Sequence, residues 1–426
     1  MLVANTGLGD ARVMKEAESL VAAGHAVTVF CLAGRGLAPE EYCNGVRYRR
    51  LPEWHRSAPA SPAASGLPAG ATRRRGLGRW LKHAAVPFIQ HELHSATFLE
   101  AVAGAAPDIV HAHDFETLPA AVRAARRCGA RVIYDMHELE EGRLPAASPA
   151  VRRWKSSLER RFLRSVSAAI TVSPSIARYK ARAYGIALPT LVLNAPRAKP
   201  AASTEPNLRE RCGLPPETPL AVYVGLAAEG RGIGELLQAL VQVPNLHLAM
   251  LGAVRPDMHG VLDRAATVLG DRLHRLAPVP HDDVVAHIAS ADFGVATIPP
   301  SCLSYDFCLP NKLFEMTLAG LPVLVSNTTE LSRFVRDTGI GIAVDALDVS
   351  EVARGLTAVY AGRQSLRPDA AKLADLKARF GWQRQAETLL DVYGAVANGP
   401  RGLPAAMAGH ALATVIRPAR ALSLGN

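Results

Sequence analysis

The chain has 426 residues, 49% of them hydrophobic and 20% charged, with 34 Gly and 30 Pro. At roughly 100–200 residues per domain this length predicts two or three domains, and the composition excludes wholesale disorder. No apolar run approaches the roughly 18–20 residues that span a bilayer, which excludes a transmembrane protein, and 48 Lys and Arg against 38 Asp and Glu leave +10, a charge that implies an anionic partner.

The opening residues, MLVANTGLGDARV, lack the basic flank and apolar run of a secretory leader. The cysteines (Cys31, Cys43, Cys128, Cys212, Cys302, Cys308) show no CxxC spacing and no neighbouring His, so a reduced, cytoplasmic chain without structural zinc is expected. In chain order, short Val- and Ile-rich runs at 27–32, 108–113, 131–135, 168–173 and 190–194 read as strands. Amphipathic stretches at 12–25 and 116–130 read as the helices between them. Residues 195–216, rich in Pro and small polar side chains, read as a linker. The alternation restarts with strands at 220–225, 246–252, 292–298 and 322–327. Apolar strands separated by helices predict parallel, doubly wound sheets covered on both faces. The expected fold is therefore α/β, with two such domains in tandem and a crevice between them. Residues 54–80 have no hydrophobic period and read as a long mobile loop. The tail after about Asn398 has no acidic residue and reads as poorly folded.

Ligands in such folds sit at the carboxyl ends of strands, and four polar clusters fall there. Asn5–Asp10 holds Gly7 and Gly9 before a helix, where backbone N–H groups can meet an anion or simply make a tight turn. Arg12 stands where a third glycine would complete a dinucleotide fingerprint, so that site is not predicted. His111 and His113 lie two apart on a strand and share a face, with Asp114 at the following loop. Asp135, His137 and Glu138 close the next strand, where they can supply an acid, a base and hydrogen-bond donors, or cap a helix. In the fourth cluster Lys312 and Glu315 are three apart at a helix start, next to Asn311. A lysine there suits phosphate, and a carboxylate suits vicinal hydroxyls. Together they describe a nucleotide, with Arg231 in Gly230-Arg231-Gly232 as a second cation for a diphosphate.

In this order, the phrases DARVMKEAESLVAAGHAVTV, PDIVHAHDFETLPAA, RVIYDMHEL, AAITVSPSIA, VGLAAEGRGIGELLQAL, LPNKLFEMTLAGLPVLVS and FGWQRQAETLLDVYGAV resemble the retaining GT-B glycosyltransferases of family 4, or group 1. The resemblance runs from residue 1 to about 395 and implies two Rossmann-like domains facing a central cleft. It implies an N-terminal acceptor domain over 1–197, with the basic loop 54–83, and a C-terminal nucleotide-sugar domain over 198–380. A helix over 381–398 would cross back, and 399–426 would form a flexible tail. By the same resemblance Glu315 binds the donor ribose, Arg231 and Lys312 hold the diphosphate, Gly9 approaches the phosphates and transferred sugar, and His113 meets that sugar. Gly7 and Asn311 join the donor-binding set and Asp114 the catalytic set; His111, Asp135, His137 and Glu138 fall on the acceptor side. The implied substrate is a UDP- or GDP-linked sugar, with no metal and no other cofactor. Two positions depart from the family pattern. The first Glu of its E-x7-E motif falls at Phe307, with Asp306 one residue out of register, and Leu226 replaces an Arg after the VG strand. With no carboxylate nucleophile evident, front-face transfer is expected, the leaving diphosphate helping to deprotonate the acceptor hydroxyl.

Segments 70–83 and 151–165 each contribute +5, so the rest of the chain sums to zero. In the second, Val151, Trp154, Leu158 and Phe162 recur at helical spacing among arginines. Such a helix lies on anionic lipid, or packs its stripe on the core with the arginines solvated. The expected partners are thus a nucleotide sugar, a glycan or lipid-linked acceptor in cell-surface polysaccharide or glycolipid assembly, and an anionic membrane at its inner face. Nucleic acid is not expected, because the basic segments lack interleaved stacking aromatics. A catalytically inactive nucleotide-sugar-binding module and a nucleotide-sugar epimerase are the alternatives. Turnover of a donor panel with and without acceptor separates all three.

Overall fold

The computed structural model describes residues 1–52, 95–142, 148–197 and 206–399. The predicted loop 54–83 and the tail from 400 on lie outside the described residues. The chain divides into two compact units. One holds residues 1–171 and 177–190 and takes up the chain again from Leu389; the other holds 172–176 and 191–388. The break therefore falls at Leu191 rather than after 197. The return falls within the helix Trp382–Asn398 rather than at its start.

In the first unit, parallel strands run in the order Ile109–His113, Arg131–Met136, Ala168–Thr171. On the other side lie Thr28–Leu32, Val46–Leu51 and Glu40–Cys43. Leu2 joins the two halves by parallel bridges to Phe30 and Ala112, so the opening residues form the centre of the sheet. Chain order reverses at that point, and His111 and His113 lie on the strand beside it. The last pairing, Glu40–Cys43 with Val46–Leu51, is antiparallel and was not expected from a doubly wound pattern. Asn44 and Gly45, both at positive φ, make the two-residue turn that such a hairpin requires.

The helix Ala11–Ala22 starts at Asp10, whose carboxylate accepts the Val13 N–H. It buries Val13, Ala17 and Leu20, but also the charged Arg12, Lys15 and Glu16. The helix Asp114–Cys128 follows the central strand and stops at Gly129, in the left-handed region (φ 74°). Pro149–Leu163 is capped by Ser148. Its apolar stripe packs inward: Val151 and Phe162 are buried and Trp154 and Leu158 half-buried, while Arg152, Arg153, Arg160, Arg161 and Arg164 are exposed. The stripe is therefore spent on the core and is not a lipid-inserting face. The same helix buries Glu159, which accepts from Lys180, Tyr134 and Tyr184.

The second unit is a six-stranded, wholly parallel sheet. Its order is Leu273–Leu276, His247–Leu251, Leu220–Val224, Phe293–Ala296, Val323–Ser326, Gly341–Val344. Numbered along the chain this is 3-2-1-4-5-6, the doubly wound order with its switch point between the first and fourth strands. Strands 273–276 and 341–344 escaped the sequence reading, being short and only partly buried. The core has two layers, one around Tyr223, Leu236, Leu248 and Phe293, the other around Val222, Leu313, Phe314 and Val325.

Candidate active site

In the first unit the strand ends converge on a buried charged cluster. Strand alternation puts His111 and His113 on one face, and their rings stack with centroids 4.3 Å apart. Asp135, fully buried on the next strand, accepts two hydrogen bonds from Arg12, from Nε at 2.7 Å and from the terminal nitrogen at 2.9 Å. It also accepts His137 Nε2 at 2.7 Å and lies 3.3 Å from His113 Nδ1. Burial alone would raise the Asp135 pKa, but Arg12 and His137 hold the carboxyl well below its usual range. Burial likewise opposes charge on His137, yet Asp114 and Asp135 hold its pKa well above the ordinary imidazole value, so it is an imidazolium donating to both. Asp135 therefore caps no helix; it pairs with the first helix of the fold and with two histidines.

Asp114 turns the strand into its helix at φ 60°, a strained conformation for a side chain that is not glycine. The turn lets its carboxylate accept the His137 backbone N–H at 3.1 Å and reach His137 Nδ1 at 3.2 Å. Of this cluster Asp114 (33% exposed) and His137 (19%) reach the surface, and Glu138 beside them is exposed. His113 is 1% exposed, with Nδ1 toward Asp135 and His137 and Nε2 toward Glu16. Its ring nitrogens both point inward, so the expected hydrogen bond from His113 to a sugar has no free atom on the surface. His111 is equally buried, with Nδ1 2.9 Å from the Tyr393 hydroxyl. In the first loop Gly7 donates its N–H to Asn5 Oδ1 at 2.7 Å, and Asp10 occupies the helix start. Gly9 is exposed at φ 73° with open space around it.

Glu16, His111, His113 and Asp135 bring ligand atoms within 4.8 Å of one another. The geometry does not suit a metal. Glu16 Oε2 is 3.8 Å and 4.0 Å from the two Nε2 atoms, whereas bonds of about 2.0–2.1 Å in a tetrahedron need edges near 3.4 Å. The Arg12 guanidinium, moreover, already pairs with Asp135 and lies 3.0 Å from Glu16.

In the second unit the switch point carries the other cluster. Lys312, in the first turn of Asn311–Leu318, is buried with Nζ 3.6 Å from the Tyr223 ring centroid. Among the described residues that ammonium has no hydrogen-bond partner. Burial and the nearby Arg231 push its pKa down to about 7, against a weaker opposing pull from Glu315. Arg231 stacks over Tyr305 at 5.8 Å. Gly232, which opens the helix Ile233–Val241 in the left-handed region, can carry no side chain, because a Cβ there would lie 1.8 Å from the Thr297 carbonyl. Glu315 is buried on the same helix as Lys312, and Asn311 is half-buried at its start. A cavity of about 240 Å³ adjoins them, lined by Gly225, Met250, Gly252, Leu262, Arg275 and Leu276. Asp306, beside the missing motif Glu, instead accepts from Thr329 N and Oγ1, both at 2.8 Å, capping the next helix.

Two family profiles cover most of the chain: a glycosyl transferase 4-like domain over residues 9–196 and glycosyl transferases group 1 over 218–361. The chain belongs to the group 1, family 4-like glycosyltransferases. Among similar sequences, a D-inositol 3-phosphate glycosyltransferase of Xylanimonas cellulosilytica is 27% identical over 67% of this chain and 71% of its own. One of Nocardiopsis dassonvillei is 26% identical over 94% and 93%. Among solved structures, the sucrose-phosphate synthase of Thermosynechococcus elongatus matches with TM-score 0.69 at 18% identity over 92% of this chain and 97% of its own. Anabaena HepE with UDP-glucose matches with TM-score 0.63 at 16% identity over 92% and 98%. The fold of this transferase is therefore GT-B, two Rossmann-like α/β domains with parallel sheets. Each expected site residue lies in or beside one of the two clusters. The sequence reading missed Arg12, read only as breaking a glycine pattern, and did not single out Glu16, Tyr393 or Tyr223. The available signal was a pair of opposite charges four apart on the apolar face of the first helix.

Proposed function

We propose that the enzyme moves a glycosyl group from a UDP- or GDP-sugar to a hydroxyl of a glycan or lipid-linked acceptor, with retention of configuration. The observation that carries this reading is Lys312, a buried ammonium without a hydrogen-bond partner at a switch point, within electrostatic reach of Arg231. A diphosphate supplies the missing charge and acceptors, and Glu315 follows one turn later for the ribose hydroxyls. The adjoining cavity, lined by backbone edges, apolar side chains and the polar His259 and Arg275, is where the base would lie. Lys312 and Arg231 then stabilise the leaving diphosphate, whose oxygen takes the acceptor proton in front-face transfer. Asp114, the more exposed member of the first cluster, has carboxylate lone pairs that accept from the hydroxyls of the reacting sugars, while His137 holds it in place. The curated relatives, named for a phosphorylated cyclitol acceptor, support a polyol hydroxyl as nucleophile. Transfer needs no metal in this scheme, the two cations doing that work.

Calorimetric titration with UDP, GDP and their sugars, followed by turnover of whichever binds, tests the reading. Because the Lys312 pKa lies near 7 without ligand and rises against a diphosphate, binding at pH 8 should take up close to one proton and binding at pH 6 almost none. The check is the dependence of the heat at pH 8 on the buffer's ionisation enthalpy. Buffer-independent heat, or no binding by either nucleotide, sinks the site.

We further propose peripheral attachment to the anionic inner face of the membrane, in cell-surface glycan or glycolipid assembly. The support is the exposed row Arg152, Arg153, Arg160, Arg161 and Arg164; with its apolar stripe packed inward, this helix binds by charge alone. Flotation with phosphatidylglycerol vesicles should be lost on replacing the five arginines by Glu and on raising salt to 0.5 M, roughly twice the Debye screening of physiological salt. Equal flotation with neutral vesicles would contradict it.

A further inference from the structure

The first cluster contains three side chains that the transfer scheme does not use and that point at one another. Glu16 Oε2, His111 Nε2 and His113 Nε2 are all buried and, among the described residues, without a hydrogen bond. Unpaired buried polar atoms each cost free energy, so three in one place mark a network that closes. We infer that Glu16 is a positioning residue: as a neutral carboxyl it links His111 to His113 and fixes the tautomer that His113 presents to Asp135 and His137. The assignment rests on the transferase reading only for its effect on rate, not for the network itself.

The hydrogen bookkeeping runs in one direction. In the inferred network the Tyr393 hydroxyl, 2.9 Å from His111 Nδ1, donates there and leaves the His111 proton on Nε2. That N–H faces Glu16 Oε2 at 3.8 Å. The same oxygen lies 4.0 Å from His113 Nε2. His113 Nδ1 lies 3.2 Å from His137 Nε2, but that nitrogen spends its proton on Asp135 at 2.7 Å, so His113 Nδ1, 3.3 Å from the same carboxylate, donates to it and His113 Nε2 is a lone pair in need of a donor. One oxygen must therefore accept from His111 and donate to His113. A hydroxyl does both and a carboxylate oxygen does not. Separations of 3.8 Å and 4.0 Å are longer than hydrogen bonds, and a small side-chain shift closes them. Glu16 Oε1, 3.0 Å from Arg12 Nε, is the carbonyl end.

The surrounding charges agree. Glu16 faces Arg12 and Asp10 from its own helix and loop, His111 and His113 from the central strand, Asp135 and His137 from the next, and Tyr393 from the closing helix. Burial dominates, Arg12 is already matched by Asp135, and the Glu16 carboxyl keeps its proton up to about pH 8. Burial likewise keeps His111 and His113 neutral, as the bookkeeping requires.

The test is the tautomer of each histidine in the full chain labelled with 15N-histidine, read from two-bond nitrogen–proton spectra, with His113→Gln and His111→Gln used for assignment. In the wild type, His113 should carry its proton on Nδ1 and His111 on Nε2. Glu16→Gln turns its carbonyl to Arg12 and its NH2, two donors, toward the rings. It should leave His113 unchanged, flip His111 to the Nδ1–H form, and keep kcat within about threefold. Glu16→Leu should abolish the fixed His113 tautomer and lower kcat at least tenfold with KM within twofold. Should Glu16→Leu fail to fold, Glu16→Gln decides alone, since a His111 flipped to the Nδ1–H form is expected only if Glu16 is its partner. An unchanged His113 signal in folded Glu16→Leu, an unflipped His111 in Glu16→Gln, or one equivalent of zinc or manganese in the isolated protein overturns the assignment. Because the spectra are independent of which sugar is transferred, they decide the network even if the transferase reading fails.

Discussion

Lys312→Met should destroy transfer while making the ligand-free protein more stable. The side chain is buried against Tyr223 with no hydrogen bond to its ammonium, so the folded state carries an ion that water would solvate better. Its pKa, down to about 7 from 10.5, means that the unfolded chain binds the extra proton between those values. Stability therefore rises as pH climbs from 7 toward 10.5, and below 7 the full cost, on the order of a few kcal/mol, is present. Methionine matches the length and removes the charge, which removes that cost at neutral pH. What it also removes is the cation opposite the leaving diphosphate. Loss of one such stabilising group costs about 10²–10³ in kcat in enzymes of several classes, and loss of binding adds to it here. The variant should show a raised Tm at pH 6–7, no gain at pH 10, no proton uptake with UDP, and turnover at least a hundredfold down. Wild-type UDP affinity in this variant would remove Lys312 from the donor site.

The same residue shows what was legible beforehand. A lysine and a glutamate three apart, just after a proline, could be placed together at a helix start from spacing alone, and both are buried there. The shared face of His111 and His113 could be read in the same way, because a strand has no other way to place residues two apart. The parallel strands declared themselves by continuous apolar runs. What stayed hidden was decided by partners distant in sequence. Arg12 meets Asp135 across 123 positions, and Tyr393 meets His111 across 282; no local period announces either. The hairpin over 40–51 was masked by its composition, since Arg47, Arg49 and Arg50 interrupt the apolar alternation and only Asn44-Gly45 signalled a turn. Trp154 and Leu158 illustrate the converse: an amphipathic helix among arginines specifies that a stripe is covered, but not by what.

Arg12→Met should be the most destabilising of the conservative changes in the first unit, and Asp135→Asn, its apparent mirror image, should be milder. Breaking a buried ion pair from one side typically costs about 3–5 kcal/mol because the survivor stays buried and charged. Removing Arg12 does that: Asp135 keeps the His137 imidazolium but loses two hydrogen bonds, and no other cation replaces them. Removing the Asp135 charge is different, because Glu16 lies 3.0 Å from Arg12 Nε and is neutral chiefly through burial, with the repulsion of Asp135 added to it. With Asp135 uncharged that repulsion goes, Glu16 gives up its proton, and Arg12 is paired again. Two consequences can be measured. At pH 7 the first-unit transition in a thermal scan should fall further for Arg12→Met than for Asp135→Asn. The pH dependence should change as well. In the wild type Glu16 binds a proton up to about pH 8 that the unfolded chain releases near 4.3, so its contribution to stability declines as pH rises through that window. In Asp135→Asn that decline should flatten, because Glu16 is ionised in both states. Both variants should still lose turnover, since each leaves His137 with one carboxylate partner fewer or misplaced, so activity alone does not distinguish them. Equal loss of stability in the two, with the wild-type pH slope retained in Asp135→Asn, would mean that Glu16 does not take over the pair. The network inferred around it would then lack the proton on which it depends.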